Sequence, residues 1–222
     1  MTAGKAQLEV WVAYLFDHPE ADCDWHFEDD APFLELGAER EAELIARMFE
    51  TSGECLARFS DVQINNGLWY LLQSHTSGHM ECLVDGEVPL SKRERVLRSF
   101  LPFFRDVVAP RCEGLLDSAG ESRAGTLDTG AYMWWDLLGL MPGGDEDDDR
   151  RRLESVALKV MESILALPYD SCRESALHGL GHWCEGYPKR VSGIIDAFLE
   201  GAAGLRPELV DYARTARAGQ VL

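Results

Sequence analysis

Asp170–Leu199 reads DSCRESALHGLGHWCEGYPKRVSGIIDAFL, and its spacing decides the fold class. Ala176, Leu177, Leu180 and Trp183 recur at three- and four-residue intervals, which lines them along one face of a helix. Gly179 and Gly181 leave gaps in that helix into which a neighbouring backbone could come close. Each glycine costs a helix about 1 kcal/mol relative to alanine, so close packing is the expected compensation. Gly186 suits a left-handed cap after the helix, and Pro188 suits the first turn of the next. Val191, Ile194, Ile195, Phe198 and Leu199 make a second apolar face. The stretch predicts two helices and a tight turn, a shape without chemistry.

Working outward, the helical period extends over most of the chain. An amphipathic helix is predicted over Ala6–Phe16, with Leu8, Trp11, Val12 and Leu15 inward, followed by an irregular acidic segment over about 17–36. Helices follow over Glu39–Phe49, Glu54–Phe59, Val62–Gln73 and His79–Val84. Ser91-Lys92-Arg93-Glu94 reads as a capping box ahead of an apolar helix that Pro102 should kink or restart. A surface connection is expected over Glu113–Thr126, then helices over Asp128–Leu140 and Leu153–Leu167 and a last one from Pro207 that frays after Arg217. No segment has a convincing strand period. The expectation is one all-α domain over 1–222, with a repeat-like core at about 150–217.

The order Asp170, Arg173, Ala176, Leu180, Gly181 resembles the second helix of a HEAT repeat. A fainter copy stands at Asp61–Leu72, where Gly67 takes the place of Ala176, Asn65 that of Glu174, and Ile64 that of the arginine. The resemblance implies a short HEAT-like solenoid of paired antiparallel helices, and it implies no particular activity. Proteins of that kind often bind on their concave face, which would bring Asn65, Trp69, Glu174 and His178 near a partner.

Charge narrows the function classes. The 222 residues carry a net charge of −18. With a pI near 4.6, general binding to nucleic acid or anionic lipid is excluded, because both call for basic patches. The acids concentrate between Asp17 and Glu43, including Asp29 and Asp30, and again at Asp145–Asp149, including Asp147 and Asp148. Such fields steer a basic partner, although the second run also suits a helix N-terminus. Apolar runs are broken by Gly, Pro or charge before they could cross a membrane. The N-terminal stretch lacks a small-residue cleavage site, and Glu9 interrupts its apolar part, so the expected location is the cytoplasm. Six scattered cysteines read as reduced and mostly buried.

Candidate chemistry is sparse. His178 and His182 stand four apart on one helix face near Cys172 and Cys184, and His75, His79 and Cys82 form a similar set. An i, i+4 histidine pair can share a zinc ion, but no glutamate lies between His178 and His182 as the His-Glu-x-x-His pattern requires. Packed or capping histidines are the expected reading, with no metal and no cofactor. Nothing singles out a cysteine nucleophile or a phosphate loop. Trp134 and Trp135 point about 100° apart on a helix. Either that helix is buried on both sides, or Trp134 beside Asp136 anchors a partner.

The sequence therefore predicts a non-enzymatic protein-binding module. Its concrete form is an immunity protein or antitoxin covering a basic toxin such as a nuclease. The candidate contacts are Asp29, Asp30, Asn65, Trp69, Trp134, Asp136, Asp147, Asp148, Glu174 and His178. The alternatives are a metal-dependent enzyme using His178 and His182, and a generic adaptor.

Overall fold

Trp11, Val12, Leu15 and Phe16 lie on one face of the first helix, and all four are buried. In the computed structural model that helix, α1, spans Ala3–Phe16. The structure describes residues 3–21, 25–28, 34–73, 75–112, 114–122, 126–143, 147–201 and 203–221, all helix, turn or coil with no strand among them. The protein is all-α. No described helix is long and apolar enough to cross a membrane.

The helices after α1 are α2 (Ala38–Glu50), α3 (Ser52–Cys55), α4 (Asp61–Leu72), α5 (Leu90–Phe103) and α6 (Ala109–Arg111). They are followed by α7 (Leu127–Tyr132), α8 (Trp134–Leu137), α9 (Asp148–Leu165), α10 (Asp170–His182), α11 (Pro188–Glu200) and α12 (Pro207–Arg217). Short 3-10 turns occupy Trp25–Phe27 and His79–Leu83. Packing proceeds from neighbour to neighbour. One succession runs α1–α4–α7–α10, a second runs α2–α5–α9–α10, and α12 packs on α10 and α11. All share one apolar core.

Several local expectations change. The capping box forms at α4, where Ser60 Oγ accepts from the Gln63 N–H at 3.2 Å and Gln63 Oε1 accepts from the Ser60 N–H at 3.1 Å. It does not form at Ser91, because α5 begins at Leu90 behind Pro89, which puts Ser91 inside the first turn. Glu94 is instead buried and ion-paired to Arg98 and Arg152. Pro102 has no N–H to return to the preceding turn, and the helix beyond it widens to π geometry over Phe104–Val108 before α6. The Asp128–Leu140 helix divides into α7 and α8 at Met133. Leu116, in the expected surface connection, is fully buried.

The glycines of α10 do admit neighbours, though mostly side chains. A Cβ on Gly179 would stand 2.5–2.9 Å from atoms of Trp135, and one on Gly181 would meet Val221 at 2.7 Å and the Ala216 Cα at 3.3 Å. Gly186 does not adopt a positive φ. Its role is close packing, since a Cβ there would meet Pro142 at 2.8 Å. Of the cysteines, the described five are free thiols, with Cys82, Cys112 and Cys172 buried.

Two glycine substitutions separate packing from propensity. Gly179→Ala should destabilise the protein by about 1–3 kcal/mol, because Trp135 has no room to yield. Gly193→Ala lies on the exposed side of α11 with open space around it. It should stabilise by about 0.5–1 kcal/mol. Urea unfolding checks both, and equal effects would refute this reading of Gly179.

Candidate functional site

Helix periodicity places His178 and His182 on one side of α10, with their Nε2 atoms 3.1 Å apart. The partner that completes the site comes from α8. Trp135 lies in the notch at Gly179, so α8 crosses α10 closely and the next residue, Asp136, faces the histidines. Asp136 Oδ2 is 2.9 Å from His178 Nε2, and Asp136 Oδ1 is 3.2 Å from His182 Nε2. On the other edge of His178, Nδ1 lies 2.7 Å from the Tyr212 hydroxyl of α12. The Tyr132 hydroxyl of α7 is 2.9 Å from that of Tyr212. Four helices thus meet at one imidazole.

Burial is graded across the cluster. The His178 side chain is 0% exposed, whereas those of Asp136 and His182 are 25% and 31% exposed. Burial is the main cause that lowers the His182 pKa below its ordinary value, with Asp136 opposing it and His178 adding to it. Burial also raises both tyrosines, so Tyr132 and Tyr212 are neutral hydroxyls near neutral pH. Asp136, His178 and His182 are the metal-ligating side chains that converge among the described residues. His75 and His79 take no part. His75 is exposed, and His79 is buried with Nδ1 2.9 Å from Glu41 Oε1.

The partner-contact candidates separate into buried and exposed sets. Asn65, Trp134, Glu174 and His178 are 3%, 0%, 2% and 0% exposed, so they offer no surface to a partner. The reason is that α4 and α10 are interior helices, with neighbours on several sides. Trp134 sits among Phe49, Phe100, Phe103 and Phe104 at ring-centroid distances of 5.0–5.5 Å. With Trp135 also buried, the double-sided burial of this segment holds, made possible by the break at Met133. Glu174 accepts the Asp117 N–H at 2.7 Å and the Ser118 N–H at 3.1 Å, and also takes the Ser118 hydroxyl, so it anchors a turn. Trp69 is half-buried and lines a shallow surface pocket with Phe27 and His75. Asp147 caps α9 by accepting the Asp149 N–H at 3.1 Å, and exposed Asp148 pairs with Arg151. Asp29 and Asp30 lie outside the described residues.

Surface charge is shaped by where the arginines go. Arg93 reaches Asp149, Arg95 Glu50, Arg111 Asp61, Arg190 Glu162, Arg206 Glu121 and Arg217 Asp196. Exposed Glu20, Glu81, Glu87, Glu185 and Glu200 have no ion-pair partner among the described residues. Glu81, Asp85 and Glu87 border two adjoining grooves of about 520 and 500 Å³ beside α2. Glu39 and Glu43 line the first, with Arg40 and Lys92 as its cations. Exposed Val84 adds apolar surface to the second.

Glu174 generates a pH prediction. Burial raises its pKa above 4.5, against the downward pull of the Ser118 and Asp117 donors. A raised folded pKa means that its favourable contribution is complete below the unfolded value and declines as pH rises through the folded one. The stability of Glu174→Gln relative to wild type should therefore improve between roughly pH 4 and pH 7. Urea unfolding at both pH values checks this, and an unchanged difference would exclude it.

No family model, no curated protein and no solved structure matches this chain.

Proposed function

We propose that this chain is a non-enzymatic protein-binding module that captures a basic protein through its acidic surface. An immunity protein or antitoxin that covers a basic toxin such as a nuclease, acting in the cytoplasm, is the concrete form. The observation that carries the reading is the uneven use of charge. Most of the arginines are held in ion pairs within the fold, while Glu20, Glu81, Glu87, Glu185 and Glu200 are exposed with no ion-pair partner among the described residues. The resulting negative field speeds encounter with a basic partner and fixes its orientation.

The grooves beside α2 are the contact region this reading favours. Their rims carry Glu81, Asp85 and Glu87, unpaired with any cation among the described residues, beside Glu39 and Glu43, which pair with Lys92 and Arg40. Val84 contributes an apolar side chain between the charges. A partner presenting lysines or arginines around an apolar residue complements that surface. A short HEAT-like solenoid, with α4 and α10 as the second helices of two repeats, is the scaffold this reading takes; the packing of α9 on α10 and of α11 on α12 supports it. In this arrangement the grooves replace the buried Asn65, Glu174 and His178 as the place of contact.

The test is retention of a partner from native lysate by the tagged chain at about 0.01 M and about 1 M salt, where the Debye length falls from roughly 30 to 3 Å. A basic protein retained at low salt and released at high salt is expected. The double variant Glu81→Lys, Glu87→Lys, at two exposed side chains without ion-pair partners among the described residues, should lose it while keeping the wild-type melting temperature. Retention that ignores salt, or that survives the charge reversal, would overturn the proposal.

A further inference from the structure

We infer that Asp136, His178 and His182 bind one divalent metal ion of the zinc class, held between α8 and the C-terminal end of α10. This goes beyond the capture reading and does not rest on it.

Geometry is the first support. Donor atoms about 2.0–2.1 Å from a shared ion, at tetrahedral or octahedral angles, stand roughly 2.9–3.4 Å from one another. Here the two Nε2 atoms are 3.1 Å apart, and the Asp136 carboxylate turns Oδ2 to within 2.9 Å of His178 Nε2 and Oδ1 to within 3.2 Å of His182 Nε2, so both of its oxygens face the histidine pair. Two imidazoles and a carboxylate also form a donor set suited to zinc and its neighbours in the first transition row. The cysteines near in sequence are directed elsewhere, Cys172 to the Phe104 carbonyl and Cys184 to the Arg217 carbonyl.

Hydrogen bonding around the cluster fits the same assignment. With its proton on Nδ1, His178 donates to the Tyr212 oxygen and turns the Nε2 lone pair toward Asp136 and His182. Tyr212 in turn donates to Tyr132. Such an outer hydrogen bond sets the tautomer and ring orientation of a metal-bound histidine. His182 is the last residue of α10, so the negative end of that helix adds to the field that favours a cation. An ion has an approach, because Asp136 and His182 are partly exposed while His178 forms the floor.

A metal-free hydrogen-bonded cluster is the competing account. In it both Nε2–H groups donate to Asp136, and Tyr212 donates to His178 Nδ1. Two like-oriented N–H dipoles would then lie side by side with their nitrogens 3.1 Å apart. A half-exposed His182 would relieve that contact by turning toward water. A shared cation converts the same approach into an attraction.

The experiment uses the full chain, stripped with a chelator and titrated with Zn²⁺ against a chromophoric competitor, and with Co²⁺ by visible absorption. One equivalent per chain, a Co²⁺ d–d spectrum and a raised melting temperature are expected. Asp136→Asn, which keeps the side-chain shape, and His182→Ala, at a half-exposed position, should each weaken Zn²⁺ binding about tenfold or more. Tyr212→Phe should weaken it by roughly 10–100-fold, as outer-sphere partners do. His75→Ala, at an exposed histidine outside the cluster, should bind as wild type does. Proton-detected nitrogen shifts of His178 and His182 in the wild-type chain provide a readout that no variant's folding can confuse. Absence of tight binding by the wild type, or Asp136→Asn and His182→Ala binding with wild-type affinity, would overturn the assignment in favour of the hydrogen-bonded cluster.

Discussion

The seating of Trp135 against Gly179 is the contact on which the C-terminal half depends. Any side chain on residue 179 would occupy the space of the indole, at 2.5–2.9 Å. Because the ring enters there, α8 lies close across α10, and Asp136 comes within hydrogen-bonding distance of both His178 and His182. The same placement turns Trp134 the other way, into the phenylalanines of α2, α5 and the π segment. One small residue in α10 thereby links the aromatic core to the polar cluster. A similar device joins the first helices, where a Cβ on Gly67 of α4 would stand 2.4 Å from the Leu15 carbonyl of α1.

Acidity is the second organising constraint. Buried carboxylates are costly without specific partners, and Glu94, Glu154 and Glu174 have them. Glu94 is held by Arg98 and Arg152, Glu154 by Arg150 and Tyr187, and Glu174 by the 117–118 turn. Arg152 ties α9 to Glu94 of α5, Tyr187 reaches Glu154 of α9, and Glu174 of α10 holds the 117–118 turn, while Arg98 and Arg150 pair within their own helices. What remains outward is an excess of acid. The exterior field follows from composition, 39 acids against 21 bases, and the interior network from the few carboxylates that the packing encloses.

Much of the helical layout was legible from residue spacing alone. The predicted stretches at α1, α2, α4, α11 and α12 correspond to helices with nearby ends, α9 starts five residues before the expected Leu153, and Pro188 and Pro207 open the helices they were expected to open. Asp170 begins α10 as its sequence suggested. The departures came where a tertiary contact overrode a local signal. Gly186 serves packing against Pro142 rather than a left-handed cap, and Ser91 lost its capping role to the earlier start behind Pro89. The break at Met133 had no local marker, since it depends on burying two tryptophans in opposite directions.

Sequence by itself determined the all-α class, the positions of the main helices, the acidic character and the histidine pair of α10. Those properties are encoded within a turn or two of chain, where periodicity, caps and composition operate. Tertiary structure alone decided which polar residues are enclosed and which chemistry they share. Asn65, Glu174 and His178 look like surface positions on an isolated helix, and neighbouring helices bury them. Asp136 and Tyr212 reach His178 from 42 and 34 residues away. Contacts at that separation have no local periodicity to announce them, because they exist only once the helices have packed.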